Sequence, residues 1–225
     1  MPEAAPSSVR VWDLPTRVFH WLLAATVLGA LGTAWAEAMT WHVRCGLMAL
    51  VLLAFRLLWG FVGGRWSRFA SFTYGPATLM RYLRGEVRPG EWLDVGHTPT
   101  GALSVFALLA LLLLQVATGL VADDEVATTG PLNRFVSGAT AASATSWHHS
   151  VGQWVIVGLV VLHVAAIVWY RVKKRVDLVR PMLDGNKPLP ADTPASADGL
   201  PQRGLALLLL LACLGLAGWV WSLGR

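Results

Sequence analysis

The chain has 225 residues, 55 % of them hydrophobic and 14 % charged, with a mean hydropathy of +0.55. That is too apolar for a water-soluble domain of this length, and the chain reads as an integral membrane protein. The formal charge of +5 comes from 18 Lys and Arg against 13 Asp and Glu, and the distribution of those residues excludes nucleic acid as their reason.

Apolar runs of about 18 residues or more predict membrane-spanning helices. Five are present, at roughly 17–36, 42–63, 101–121, 147–170 and 204–222. The first has a clear start, with Asp13 ahead of Pro15, where the missing N–H of proline costs nothing. It lacks a small-residue cleavage site and is followed at once by a second span, so it is not read as a signal peptide. A short turn near Glu37 to Trp41 joins spans one and two. Residues 64–100 include PATLMRYLRG, a short interfacial helix carrying Arg81 and Arg84. The loop 122–146 is rich in Ala, Thr, Gly and Ser and is expected to be partly irregular. Residues 181–202 carry five prolines and read as a linker to the fifth span, which contains no histidine or charge. The expected domains are therefore a core at 1–180, a linker at 181–203 and an added helix at 204–225.

Lys and Arg fix an expected orientation. Arg10, Arg17, the arginines of the 64–100 loop and the basic run after span four fall on one side. The other side holds Arg44, Arg134, Arg225 and the acidic triplet Asp123, Asp124, Glu125. The positive-inside rule then puts the N-terminus in the cytoplasm and the C-terminus outside. Cys45 and Cys213 sit singly inside spans and read as small packing residues. There is no Cys-x-x-Cys-His for covalent haem attachment.

A histidine in lipid is costly and usually functional. His20 lies just inside span one at the cytoplasmic end, and His163 lies near the same end of span four. His42 opens span two and His149 opens span four, both at the outer end. Ligands facing each other across a bundle can hold a cofactor. Counted at about 100° per residue, the 14 residues from His149 to His163 fall roughly 40° short of four turns, whereas His148 is offset by about 60°. The two levels are about 21 Å apart along that helix. Four imidazoles split between two levels do not make a tetrahedral zinc site. They suit two stacked haems, with His20 opposite His163 and His42 opposite His149. Two axial imidazoles leave no open position and favour electron transfer. The bland account of each histidine is a hydrogen bond to a neighbouring helix. His97 reads as solvent-exposed. Arg17 and Arg44 stand near one histidine level each, where haem propionates or lipid headgroups account for them equally well. Gly29, Gly32, Gly46, Gly119 and Gly152 allow close approach of a ring or of another helix.

The stretches VWDLPTRVFHW, WHVRCG with FRLLWGFVGGRWSRFASF, GHTPTGALSVFALLALLLLQVATGL, HHSVGQWVIVGLVVLHVAAIVWYRVKKR and LVRPMLDG together resemble the bacterial di-haem cytochrome b family. That family includes the cytochrome b subunits of Ni/Fe hydrogenases and stand-alone relatives. The resemblance covers roughly residues 10–186. It implies an all-α integral membrane fold, a four-helix bundle holding two b haems, here with a fifth C-terminal helix. It also implies electron transfer between the quinone pool and a redox partner such as a hydrogenase small subunit or a c-type cytochrome. The family's ligands map to His20 and His163 for one haem and to His42 and His149 for the other. In the family the residue after the outer histidine of helix four is often Glu, whereas here the stretch is His148-His149-Ser150; His149 is the expected ligand, with His148 read as its interfacial neighbour. Alternative functions are a superoxide:quinone oxidoreductase, for which Arg44 and Arg134 offer a thin cationic approach, and a non-redox membrane anchor. Assembly into a homo-oligomer is compatible with all three.

Overall fold

The computed structural model describes residues 7–88, 90–126 and 128–224. Arg225, counted above on the outer side, lies outside them. Among the described residues five helical stretches are long and apolar enough to cross a bilayer: Leu14–Trp35 (α1), Met39–Val62 (α2), Pro99–Val121 (α4), the continuous run Gly138–Lys174, and Leu200–Leu223 (α8). The architecture is all-α and membrane-spanning, as the hydropathy requires. Exposed Leu28, Leu103, Leu162 and Leu208 are lipid-facing side chains in such a fold.

The run Gly138–Lys174 holds 37 residues, well beyond the roughly 20 that a bilayer needs. It comprises Gly138–Ser146 (α5), a π-helical turn at Trp147–Gly152, Gln153–Trp169 (α6) and a second π-helical turn at Tyr170–Lys174. The small-residue stretch expected to be partly irregular is therefore helical from Gly138. Ser137 caps it, its side chain accepting from Thr140 N. Ahead of it, Asp123 and Thr129 form an isolated bridge and Asn133–Phe135 a single 3-10 turn.

The chain divides into two compact units. The first takes the residues up to Val18, Leu57–Phe106 and His163–Leu207. It contains Pro76–Leu83 (α3), formed by the PATLMRYL stretch, and the short helix Arg180–Asp184 (α7). Strand Ser7–Arg10 (β1) pairs antiparallel with Asn186–Leu189 (β2). Pro188 stands opposite Ser8, and a two-stranded sheet tolerates it because every strand is an edge. The proline-rich stretch is thus packed rather than loose. Ser196 N donates to Arg10 O at 2.7 Å, Ser196 Oγ to Val11 O at 2.7 Å, and Trp66 Nε1 to Pro194 O at 2.8 Å. Val11, Trp12, Trp66 and Val95 form the buried cluster beneath it.

The second unit takes Phe19–Arg56, Ala107–Leu162 and the residues from Leu208 on. Its buried side chains come chiefly from α2, including Val51, Leu52, Leu53 and Phe55. Cys45 Sγ would stand 3.3 Å from a Cβ on Gly29, so this pair is a close helix contact of ordinary kind.

Candidate functional site

The first unit holds a buried carboxylate. Asp13 is fully buried at the start of α1 and receives four donors: Thr16 N at 2.8 Å, Trp59 Nε1 at 3.1 Å, Gly64 N at 3.0 Å and Ser67 Oγ at 2.5 Å. A Cβ on Gly64 would stand 2.4 Å from Asp13 Oδ2, so only glycine permits this approach. Every acceptor direction here is met by the protein, and Asp13 is a fastening of the fold. His97 is likewise not solvent-exposed: its ring lies between Trp12 and Phe72, with centroids 4.7 Å and 4.4 Å away. Arg17 donates to Leu183 O. Arg81 of α3 is paired with Glu91.

The second unit brings two histidines together. His42, in the first turn of α2, and His148, in the π-turn, have ring centroids 5.9 Å apart with planes at 81°. Each ring is anchored on one nitrogen by a backbone carbonyl: His42 Nδ1 donates to Ala30 O at 2.9 Å and His148 Nδ1 to Gln115 O at 2.9 Å. A carbonyl can only accept, so both Nδ1 atoms carry a proton, and in the neutral rings each Nε2 keeps a lone pair. Metal-ligating histidines usually hold their other nitrogen in this way. Two metal–nitrogen bonds of about 2 Å plus the radius of each ring come to roughly the spacing seen.

The donor set narrows what such a pair can hold. Among the described residues no group of three or more His, Cys, Asp or Glu side chains is placed to bind a metal ion. Two imidazoles are the donor pair that a haem iron takes when a porphyrin fills its four equatorial positions. Gly46, one turn from His42 on the same face of α2, has no atom within 4 Å of where a Cβ would stand. At the other histidine, a Cβ on Gly119 would stand 2.7 Å from His148 Cε1, so α4 backs this ring closely.

His149 lies elsewhere. It is exposed and lines a surface cavity of about 370 Å³ with Asp123, Asp124, Glu125, Thr145 and Ser150. The acidic side chains are used in folding their own loop: Asp123 Oδ1 accepts from Glu125 N at 2.8 Å, and Asp124 Oδ1 from Thr128 N at 2.8 Å. The helical count that favoured His149 assumed 3.6 residues per turn throughout. A π-turn takes up an extra residue, so that count overruns by one between α6 and the histidine pair.

Arg44 is two residues from His42, about 200° round α2, and its guanidinium lies 4.6 Å over the Trp41 ring. The structure does not bring it to the histidine face. His20 is half-buried in the second unit, edge-on to Trp21 at 5.1 Å; His163 is half-buried in the first. Sequence reasoning missed Gln115 and Thr118 of α4. Gln115 Nε2 donates to His148 O at 2.8 Å, and Thr118 Oγ1 lies 3.4 Å from His148 Nδ1. The signal was available: a glutamine alone in an apolar run needs a partner.

The sequence model of one family, described as prokaryotic cytochrome b561, matches residues 11–185. The chain is similar to the probable Ni/Fe-hydrogenase B-type cytochrome subunit of Rhodobacter capsulatus, with 26 % identity over 218 residues covering 80 % of this chain and 82 % of that one. It is 27 % identical over 190 residues to the probable Ni/Fe-hydrogenase 1 B-type cytochrome subunit of Escherichia coli (strain K12), covering 68 % of this chain and 80 % of the other. A third relative, the probable Ni/Fe-hydrogenase B-type cytochrome subunit of Rhizobium leguminosarum bv. viciae, is 24 % identical over 215 residues, 80 % of this chain and 89 % of that one. No solved structure matches.

Proposed function

The chain belongs to the prokaryotic cytochrome b561 family, and from that premise we propose that His42 and His148 are the two axial ligands of one b-type haem. The family makes the protein a b-type cytochrome, whose work is electron transfer. The observation that carries the assignment is the facing imidazole pair, 5.9 Å apart, with each Nδ1 tied to a carbonyl. When bound, the haem iron supplies a one-electron carrier with no open coordination site. The residues of the chain do the rest. Ala30 O and Gln115 O fix the tautomer and aim of the two rings and raise the basicity of Nε2. Gly46 leaves room beside His42, and Gly119 sets the distance of His148 from α4.

From the sequence alone, His20 and His163 are the proposed ligands of a second haem, with Arg17 a candidate for its propionates. The wider reading is that the protein passes electrons between the quinone pool and a redox partner. Relatives named as hydrogenase cytochrome subunits favour a Ni/Fe hydrogenase as that partner, with a c-type cytochrome the other candidate. The proposed setting is a bacterial inner membrane with the N-terminus in the cytoplasm, a reading the arginine and lysine distribution supports.

The test is pigment per chain. Purified protein should give a b-type band in its reduced-minus-oxidised spectrum and two haems per chain. His42→Ala and His148→Ala should each remove the same haem, and His149→Ala should remove neither. A preparation in which His149→Ala costs a haem and His148→Ala does not overturns the assignment.

A further inference from the structure

Gln115 is the residue of α4 most closely engaged with the π-turn. Its amide nitrogen donates to His148 O at 2.8 Å, while its own backbone carbonyl receives His148 Nδ1 at 2.9 Å. The two residues thus clasp each other through both main chain and side chain. The amide oxygen lies against Gly152, the last residue of the turn: a Cβ there would stand 2.0 Å from Gln115 Oε1 and 2.9 Å from Trp147 Nε1. Both Gln115 Oε1 and Trp147 Nε1 are buried without a hydrogen-bond partner among the described residues. The glutamine side chain therefore fills the space a missing side chain leaves at the end of the π-turn. It also gives an extra donor to a carbonyl inside that turn.

An isolated π-turn is less stable than the α-turn it replaces and persists where something inserts into its ladder. Closing it to an α-turn removes the extra residue and moves the preceding residues by one position, about 100° round the axis. His149 would then take the place of His148. We infer that Gln115 is a positioning residue that holds the π-turn open and so selects His148 over His149 as the imidazole facing His42. This inference rests on the reading that His42 and His148 hold a haem.

The test uses the full chain loaded with haem, and reads haem per chain and the electron paramagnetic resonance signal of the ferric low-spin haem. With Gln115 in place, His148→Ala removes the haem of this pair and His149→Ala leaves it. With Gln115→Leu, the haem survives His148→Ala because His149 replaces it, and the low-spin signal shifts. Loss of the haem in Gln115→Leu/His148→Ala, as complete as with Gln115 present, overturns the inference while leaving the ligand assignment standing. Retention of the haem in His148→Ala with Gln115 present overturns the assignment, and the inference with it. If Gln115→Leu does not fold, Gln115→Met keeps the length, removes the amide donor without adding a charge or an O–H, and is read against the same outcomes.

Discussion

Both units bury polar side chains, and the contrast between them separates structure from function. In the first, Asp13 is fully buried and four protein donors use both of its oxygens. Nothing is left for a ligand. In the second, His42 and His148 are each tied through one nitrogen and keep the other, with open space beside Gly46. A polar group satisfied on all sides fastens the chain. One satisfied on a single side and facing its like is a candidate site. The sequence treats both as polar residues at the ends of apolar runs; only the partner list tells them apart.

That distinction predicts opposite outcomes for two substitutions. On the proposed assignment, His148→Ala should abolish one haem's absorbance while leaving the helical signal by circular dichroism within error. Asp13→Ala should do the reverse. It leaves up to four buried donors unmet and should destabilise the fold by about 3 kcal/mol or more, seen as a lower apparent Tm, while any folded protein keeps its full haem content. If Asp13→Ala leaves the Tm unchanged, the fastening role is wrong.

Glycine variants sharpen the comparison at lower cost. Gly46→Leu adds a side chain where no atom lies within 4 Å, so without haem it should be neutral or slightly stabilising, leucine being the better helix former. It should lower haem content if the ring occupies that space. Gly119→Ala presses a methyl to 2.7 Å from His148 Cε1 and should cost about 1–3 kcal/mol. It should also shift the haem band without removing the haem. Equal haem content and unchanged spectra in both variants would separate these glycines from the cofactor.

Much of this was legible in the sequence because membrane spans announce themselves by composition, and the Asp13 cap and His42 stand at helix starts where local rules apply. The choice of His148 over His149 as the partner of His42 was not, since helical phase is readable only while the helix is regular, and the π-turn at Trp147–Gly152 breaks the count. Gln115 was passed over because its partner, His148, lies 33 residues away. The pairing of β1 with β2 and the packing of the proline-rich stretch were hidden for a similar reason. Ser8 meets Pro188 and Ser196 meets Arg10 across nearly the whole chain, and no local pattern encodes such contacts. His97, in a polar-looking loop, is sandwiched by rings that approach from Trp12 and Phe72.

Lys187 lies between the two cases and gives the smallest predicted effect. Its ammonium, in β2, donates to Val95 O at 2.7 Å and Asp94 O at 3.3 Å, protein partners that make it a fastening like Asp13. Unlike Asp13 it carries a burial penalty large enough to move its titration. Burial pushes its pKa down to about 8, against an opposing pull from Asp94. Below pH 8 the folded and unfolded chains both hold this proton, and the penalty is present in full. Between about pH 8 and 10.5 the unfolded chain keeps the proton and the folded chain releases it, so stability rises with pH across that window. The gain is at most about 3 kcal/mol and is smaller where water reaches the ammonium. Lys187→Met, which keeps the stem and removes the charge, should flatten the rise and raise the apparent Tm at pH 7. An unaltered slope between pH 8 and 10 in that variant would mean the charge is better solvated than its neighbours indicate, and Lys187 would then drop out of the comparison.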